Sequence, residues 1–97
     1  MSLVAVLEVH VKPEQLSEAR TVFATMLGET RDFDGCEGVE VLVDTRDEGH
    51  WLVVERWRDR EADAAYRAWR KETGGVSALG ELLAAAPAID KYELSGV

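Results

Sequence analysis

The stretch that decides the fold of this 97-residue chain runs from His50 to Lys71 and reads HWLVVERWRDREADAAYRAWRK. Its first half is rich in β-branched and aromatic residues, which is typical of a strand. After the charged joint at Arg58-Asp59, apolar residues recur at helical spacing, so the second half predicts an amphipathic helix from about Arg60 to Glu72. All three tryptophans of the protein lie in this stretch. It therefore predicts a strand that passes directly into a helix, and it is the first place to look for a site.

The two faces of this predicted helix differ in polarity. Apolar positions spaced three and four residues apart form one side, which we expect to pack on a sheet. The predicted buried face holds Ala62, Ala65, Tyr66 and Trp69. The predicted solvent face holds Asp63, Arg67, Arg70 and Lys71. Asp63 and Arg67 are spaced as a favourable i,i+4 ion pair, which agrees with a solvated face.

Before this stretch, the sequence predicts a strand, a helix and a second strand. Every odd position from Leu3 to Val11 is apolar, as expected for a strand with one buried face. Lys12-Pro13-Glu14 then begins a helix that runs to about Glu29, because proline and an acidic residue suit the first helical turn. Val39 to Thr45 alternates as a strand does, and Asp47-Glu48-Gly49 is the predicted hairpin turn into the strand described above.

After the second helix, Gly74-Gly75 is a stop signal, and Val76 to Ala86 predicts a short helical segment with its leucines directed inward. The last predicted strand runs from Ala88 to Leu94. The resulting order is strand, helix, strand, strand, helix, strand. This order is typical of the ferredoxin-like α+β fold, a four-stranded antiparallel sheet with two helices on one face. We therefore expect residues 1–97 to form a single domain.

The second face of this sheet is predicted to be covered by another copy of the chain. Val4, Val6 and part of the Trp51 to Trp57 strand are too apolar to remain in water, which favours a sheet-to-sheet homodimer. Glu55 lies between apolar neighbours in the same strand, and a buried carboxylate needs a cationic partner. We expect Arg56, or an arginine of the second subunit, to form an interface ion pair with it.

Composition excludes several classes of function. The net charge of −8 opposes nucleic-acid binding, which depends on clustered Lys and Arg. No apolar run approaches the ~20 residues needed to span a bilayer, and the N-terminus lacks signal-peptide features, so we expect a cytoplasmic protein without membrane contact. Cys36 is the single cysteine, and with His10 and His50 it shows no metal-ligand spacing. We expect both histidines to be surface or interface residues.

The order of the elements and several local signatures resemble the antibiotic biosynthesis monooxygenase family of dimeric α+β barrels. The matching features are Lys12-Pro13-Glu14 at the entry to the first helix, Asp34-Gly35-Cys36 before the second strand, Glu55-Arg56-Trp57 before an alanine-rich helix, and Tyr92-Glu93-Leu94 in the last strand. The resemblance covers nearly the whole chain, and it rests on the order and spacing of these motifs.

The resemblance implies a homodimer with face-to-face sheets and a small-molecule cleft between the sheet and helices of each subunit. Family members with enzyme activity oxidise polycyclic aromatic or quinol substrates with molecular oxygen, without a metal or flavin, while a related branch degrades haem. Both activities use a cleft asparagine, but this sequence contains no asparagine. Leu7 stands where the haem branch has that residue, and 74–78 contains no counterpart of its histidine. We therefore expect no haem. If the chain is an enzyme, the resemblance implies molecular oxygen as co-substrate and no cofactor.

Three aromatic residues are the candidates for the walls of this cleft. By the resemblance, Trp57 matches the tryptophan at the end of strand three, and Tyr66 stands where relatives often have His or Trp. Trp69 follows one helical turn beyond Tyr66. The hydroxyl of Tyr66 makes it the candidate catalytic residue, since it could orient a substrate. The alternative is that these side chains are core residues that pack helix two on the sheet.

Two functions follow from this interpretation. The first is a cofactor-independent monooxygenase that acts on a small aromatic substrate, polyketide-like or quinol-like, in the cleft. The second is a non-catalytic dimeric module of the same fold, which binds a small ligand or a protein partner or has a structural role.

Overall fold

The computed structural model describes residues 2–74 and 79–97, which form one four-stranded antiparallel sheet with two α-helices. The elements in chain order are β1 (Leu3–His10), α1 (Leu16–Asp32), β2 (Cys36–Asp44), β3 (Asp47–Trp57), α2 (Arg60–Thr73) and β4 (Ala88–Glu93). The strand order in the sheet is β2-β3-β1-β4. This architecture confirms the predicted ferredoxin-like α+β fold.

Local sequence explains where both helices begin and end. A 3₁₀ turn at Pro13–Gln15 leads into α1, which continues past Gly28 to Asp32, three residues beyond the predicted end. The buried Thr30 in this last turn joins α1 to α2 through the hydroxyl of Tyr66. The Asp59 carboxylate caps α2 by accepting from the Ala62 amide at 2.8 Å, and Gly74 ends it with a φ of 67°.

The predicted faces of α2 are partly wrong. Ala62 and Tyr66 are buried as expected, but Ala65 is exposed, and Asp63 and Arg70 are buried although they were assigned to solvent. The physical reason is that both charges have partners on other elements, such as Lys91 of β4, whose Nζ lies 2.6 Å from Asp63 Oδ2. A buried charge is tolerated when it is paired, and helical periodicity does not reveal such partners.

The β2–β3 hairpin turns earlier than predicted. The turn residues are Thr45-Arg46, because the Asp44 side chain accepts from the Arg46 amide at 2.9 Å. Asp47-Glu48-Gly49 therefore belongs to β3, where the pairing shifts through a bulge. Glycine is needed at position 49, since an added Cβ would lie 2.6 Å from the carbonyl oxygen of Val11.

The sheet has an inner face that packs on the helices and an outer face without a partner in the described chain. Odd-numbered residues of β1 and β3 point inward and form two apolar clusters with α1 and α2. The outer face presents an apolar surface made of Val4, Val6, Leu42, Leu52, Val54 and Tyr92. Of these, Leu42 is 49% and Tyr92 is 56% exposed, as expected of a face that another surface covers.

Residues 79–87, which precede β4, close one end of the inner layer. The predicted helix from Val76 to Ala86 lies partly outside the described residues, as does Gly75 of the predicted stop. The described part makes a single turn, in which the amides of Leu82 and Leu83 donate to the Leu79 carbonyl, rather than a helix. These leucines are buried as predicted. No helix in the described ranges is long and apolar enough to cross a membrane.

Candidate active site

A cavity of about 110 Å³ lies between the inner face of the sheet and the two helices. Its apolar lining comes from both helices, the central strands and the segment after α2: Leu7, Phe23, Met26, Leu27, Val53, Leu79 and Pro87. Its polar lining consists of Glu55, Tyr66, Arg67 and Arg70. An apolar pocket with a few convergent polar groups is the default candidate for a binding or active site.

Glu55 is the buried acid of this cavity. The alternation of β3 turns it towards the helices, and it is 2% exposed. Its Oε1 accepts hydrogen bonds from Trp57 Nε1, at 3.1 Å, and from the guanidinium of Arg67. Burial raises the pKa of Glu55, and the opposing effects of the Arg67 charge and the Trp57 hydrogen bond do not cancel this rise. The cavity therefore contains a carboxylate that binds a proton more readily than an ordinary glutamate.

The predicted interface ion pair of Glu55 is therefore wrong. Its partner is Arg67 of the same chain, since both side chains lie between the sheet and α2. Arg56 lies on the outer face instead and pairs with Glu40. The signal that sequence reasoning missed is the register of β3, because Glu55 shares its parity with Trp51 and Trp57, which point to the helices.

The hydroxyl of Tyr66 is held by two protein partners. It lies 2.6 Å from Thr30 Oγ1 and accepts from Arg70 Nε at 2.7 Å. Because the Thr30 hydroxyl donates to the carbonyl of Met26, at 3.1 Å, the Tyr66 hydroxyl is the donor to Thr30. The phenol thus has a donor and an acceptor within the protein, while its ring lines the cavity.

Arg70 joins the two helices beside the cavity. Besides Tyr66, it donates from Nη2 to the carbonyl of Met26 at 2.7 Å and to Thr30 Oγ1 at 3.1 Å, and from Nη1 to Glu29 Oε1 at 3.1 Å. Burial alone would lower the pKa of Arg70, but its hydrogen bonds to Tyr66 and Glu29 and the charge of Glu29 outweigh this effect and raise the pKa. The guanidinium is therefore a fixed positive charge at the wall of the cavity.

Arg67 links the cavity to the edge of the sheet. It contacts Glu55 on one side, and its Nε donates to Asp63 Oδ1 at 3.2 Å on the other. Lys91 of β4 completes this row of alternating charges through Asp63. The row runs from the buried carboxylate to a half-exposed lysine, so the charge of the cavity depends on β4 as well as on α2.

The three aromatic residues predicted from the sequence occupy different positions relative to the cavity. Tyr66 lines it, whereas Trp57 and Trp69 are not among the described residues that do. Trp57 is fully buried behind Tyr66, with ring centroids 4.8 Å apart. Trp69 is half-buried and packs on Phe33 and on the guanidinium of Arg70, 4.7 Å from its ring. Both tryptophans therefore contact the residues that form the cavity wall.

Cys36 and a groove between α1 and β2 contribute little chemistry. Burial raises the pKa of the Cys36 thiol, which packs against both apolar clusters. A surface groove of about 360 Å³ lies between α1 and β2, lined by apolar side chains together with Arg20 and Arg31. Its described lining holds no acid, so the interior cavity is the better candidate for acid–base chemistry.

The comparisons with known proteins agree with this geometry. Residues 2–74 match the antibiotic biosynthesis monooxygenase family. The chain belongs to this family. Its Leu7, on the inner face of β1, puts an apolar side chain into the cavity. No curated protein sequence matches the chain.

Solved structures with the same fold include three from different organisms. Rv0793 of Mycobacterium tuberculosis is 22% identical, with a TM-score of 0.84, over 97% of this chain and 95% of that one. A conserved protein of Methanosarcina mazei Go1 is 20% identical, with a TM-score of 0.87, over 96% and 92%. An asparagine-to-alanine variant of SnoaB, a cofactor-independent oxygenase of Streptomyces nogalater, is 16% identical, with a TM-score of 0.85, over 97% and 93%. At these identities the likeness shows the fold.

Proposed function

We propose that this family member is a cofactor-independent monooxygenase that oxidises a small phenol or quinol in the cavity between the sheet and the helices. The observation that carries the proposal is Glu55, a buried carboxylate of raised pKa at the cavity wall, with Arg67 and Arg70 beside it. Membership of the family supports an oxygenase, and the likeness to SnoaB supports one without a cofactor.

The size of the cavity favours a substrate with a single ring. Its volume is about 110 Å³ among the described residues. An apolar cavity of about 150 Å³ holds a benzene molecule, so the smaller space here admits at most one ring and not a fused polycyclic system. We therefore propose a monocyclic phenol or hydroquinone as the substrate class.

In the proposed reaction, the Glu55 carboxylate takes the proton of the substrate hydroxyl and leaves a phenolate. A buried base with a raised pKa is better matched to this task than a solvated one. As Glu55 becomes neutral, the Arg67 guanidinium is free to pair with the new oxyanion, and Arg70 adds a second positive charge. The negative charge thus moves from the protein to the substrate while its counter-ions stay in place.

The phenolate then transfers one electron to molecular oxygen, and the resulting radical pair forms a carbon–oxygen bond. The peroxide takes the proton from Glu55, and its O–O bond breaks as the ring carbon loses its hydrogen. One oxygen atom becomes a carbonyl of the product and the other leaves as water. A phenol and O₂ thereby give a quinone and water, and the Glu55 carboxylate is restored. The protein contributes orientation, exclusion of water and proton transfer.

We propose Tyr66, Trp57 and Trp69 as the aromatic wall that orients the ring of the substrate. Tyr66 is the member that reaches the cavity, and the two tryptophans fix its position from behind. No metal, flavin or haem has a role in this proposal. Leu7 puts an apolar side chain on the cavity wall, at the position where the resemblance places the asparagine of the haem-degrading branch, and this supports the exclusion of haem.

The test is oxygen uptake by the protein with phenol, hydroquinone and anthrone, measured against autoxidation in buffer. We expect turnover of a monocyclic substrate, with incorporation of one atom from ¹⁸O₂, and a decrease of about 100-fold in Glu55→Gln. Glu61→Gln, which changes an exposed glutamate of α2, is the matched control. Oxygen uptake equal to that of buffer with all three compounds would refute the oxygenase, and an active Glu55→Gln would refute the role of Glu55.

The second candidate function is a non-catalytic module of the same fold. The observation that favours it is the full set of protein partners around the hydroxyl of Tyr66 and the guanidinium of Arg70, which also suits a purely structural network. In this case none of the aromatic compounds would cause oxygen uptake, whether or not it binds. Calorimetry with phenol, run beside the oxygen measurement, separates the two functions.

We also propose that residues 1–97 act as one domain and that two copies form a sheet-to-sheet homodimer. The outer face of the sheet supports this, because its centre is apolar and lies open in a single chain. β4 pairs with β1 beyond the family match, so the sheet needs the C-terminal part of the chain.

A further inference from the structure

A cluster of imidazoles and carboxylates lies on the outer face of the sheet, at the end near the β2–β3 turn. His10 of β1 and His50 of β3 are directly paired across the two strands. Their rings are stacked, with centroids 4.7 Å apart and an interplanar angle of 6°. The protein contains two histidines in total, and both are in this pair.

Two carboxylates hold His50 from opposite sides. Its Nδ1 lies 2.9 Å from Asp44 Oδ2, and its Nε2 lies 2.7 Å from Glu8 Oε2. One possible ligand atom each from Glu8, His10 and His50 lie within 4.8 Å of one another. The cluster thus has two nitrogen donors and one oxygen donor around a common point, and it is on the opposite side of the sheet from the cavity.

We propose that Glu8, His10 and His50 bind one divalent transition-metal ion of the Zn²⁺ type, with Asp44 as the residue that orients His50. Two imidazoles and a carboxylate are a donor set that suits Zn²⁺, with ligand distances of about 2.0–2.2 Å. The hydrogen bond from Nδ1 to Asp44 leaves Nε2 as the ligand nitrogen, which is the usual arrangement of a carboxylate, a histidine and a metal.

Binding requires the ligand side chains to move, and the two imidazole rings must turn out of their parallel arrangement, because the lone pair of a ring nitrogen lies in the plane of its ring. Ligand atoms about 2.0 Å from a tetrahedral ion are roughly 3.3 Å apart, so the present spacing of up to 4.8 Å must close by about 1.5 Å. Glu8 is about half-exposed, which leaves it room to turn. The ion takes the place of the proton between His50 Nε2 and Glu8. The two nearby carboxylates then balance the charge of the ion, in a protein whose net charge is −8.

The two stacked imidazoles distinguish this cluster from ordinary exposed carboxylates. Two histidines facing each other across neighbouring strands repel if both are charged, whereas a shared cation is a reason to place them together. The proposed ion would join the ends of β1 and β3 and, through Asp44, the turn between β2 and β3. The sequence gives no indication of this site, because His50 lies 40 residues after His10 and the two meet only through strand pairing.

The test is titration of the untagged, EDTA-treated protein with ZnCl₂ by isothermal calorimetry. We expect saturable binding of one ion per chain, weakened at least tenfold in His10→Ala, His50→Ala and Glu8→Gln and to a lesser degree in Asp44→Asn. The matched controls are Glu40→Gln, a carboxylate elsewhere on the same face, and Cys36→Ser, which removes the sole thiol. Both should bind Zn²⁺ as the wild type does.

Imidazole ¹⁵N spectra give a second readout that does not depend on the stability of a variant. With two histidines, each ring nitrogen can be assigned, and we expect His50 Nε2 and one nitrogen of His10 to shift on addition of Zn²⁺. His50→Gln serves if His50→Ala does not fold by circular dichroism. Unsaturable binding, unchanged ring nitrogens, or one ion per two chains would overturn the proposed single-chain site.

Discussion

Trp57 Nε1 donates a hydrogen bond to Glu55 Oε1 over 3.1 Å, so a fully buried indole of the core holds the carboxylate of the cavity. The two residues are two positions apart in β3, so they are neighbours on its inner face. Through this contact a tryptophan that does not itself reach the cavity influences its chemistry. The hydrogen bond stabilises the charged form of Glu55 and opposes the rise of its pKa that burial causes.

Trp57→Phe should therefore raise the pKa of Glu55 further while it keeps an aromatic ring in the core. We expect a loss of about 1–3 kcal/mol in the free energy of unfolding, because a hydrogen bond to a carboxylate is removed and packing is reduced. The pH profile of kcat/KM for a phenol should shift to higher pH. Urea denaturation measures the loss of stability, and oxygen uptake between about pH 5 and 9 measures the shift of the pH profile.

The matched control is Trp51→Phe. Trp51 is buried to a similar degree and donates to the carbonyl of Glu48 at 2.7 Å, away from Glu55. This variant should lose a similar amount of stability without a shift of the pH profile. A profile that moves equally in both variants would mean that the Trp57 hydrogen bond has no specific effect on Glu55.

Glu55 should also make the stability of the protein depend on pH. Its pKa in the folded state is raised, so folding binds its proton more tightly than the unfolded chain does. The stabilising contribution is full below the ordinary glutamate pKa of about 4.3 and is lost as pH rises through the folded pKa. The unfolding free energy of the wild type, relative to that of Glu55→Gln, should therefore fall as pH rises from about 4 towards neutrality.

Urea denaturation of both proteins across this pH range measures the difference. Glu61→Gln, on the exposed face of α2, should follow the wild type at every pH. The opposite slope, with the wild type gaining stability relative to Glu55→Gln as pH rises, would mean that pairing with Arg67 outweighs burial.

Tyr66→Phe should affect stability and catalysis separately. Without the hydroxyl, Arg70 Nε loses its acceptor, at 2.7 Å, in a buried setting, which costs about 1–3 kcal/mol. If the aromatic wall orients the substrate, kcat/KM should also fall, since the ring is no longer held by Thr30 and Arg70. Chemical denaturation and oxygen uptake with hydroquinone give the two values.

Tyr92→Phe is the control for this substitution, because Tyr92 is the other tyrosine of the chain and lies exposed on the outer face. It should change neither value. A Tyr66→Phe protein with wild-type kcat/KM would remove Tyr66 from the mechanism and leave it a structural residue between the helices.

Val54→Asp should disrupt the proposed homodimer. Val54 lies at the centre of the outer face, opposite Val6 of β1, where a charge would face the apolar surface of the second copy. Sedimentation velocity at micromolar concentration should change from a dimer to a monomer. Val43→Asp is the matched control, because Val43 is 50% exposed but belongs to the helix side of β2. A wild-type monomer, or a Val54→Asp dimer, would contradict the sheet-to-sheet arrangement.

Most of the fold could be predicted from local patterns, because each element carries its own periodicity and its own start or stop residues. The strand-to-helix passage from β3 through Asp59 to α2 is the clearest example, since alternation, an N-cap and helical spacing follow one another. The hairpin turn was misplaced by two residues. Asp-Glu-Gly is a good turn sequence, but the Asp44 side chain stabilises an earlier turn at Thr45-Arg46.

The candidate site was harder to predict, because its polar residues are defined by partners distant in sequence. Asp63 and Arg70 have the spacing of a solvated helix face, yet their partners on β4 and α1 bury them. The parity of β3 places Glu55 on the inner face and Arg56 on the outer face, but it does not identify Arg67 of α2 as the partner of Glu55. Helical and strand periodicity gives the direction in which a side chain points, but it does not identify the residue of another element that the side chain meets.

The row of charges from Glu55 through Arg67 and Asp63 to Lys91 means that the C-terminal strand is electrostatically part of the cavity. Removal of β4 would leave Asp63 without Lys91. Arg67 would then be the one cation of this row, shared by the carboxylates of Glu55 and Asp63. The buried acid would respond to the loss of a strand whose residues do not line the cavity in the described chain. Lys91, at the edge of the sheet, thus influences the proton affinity of Glu55 in its interior.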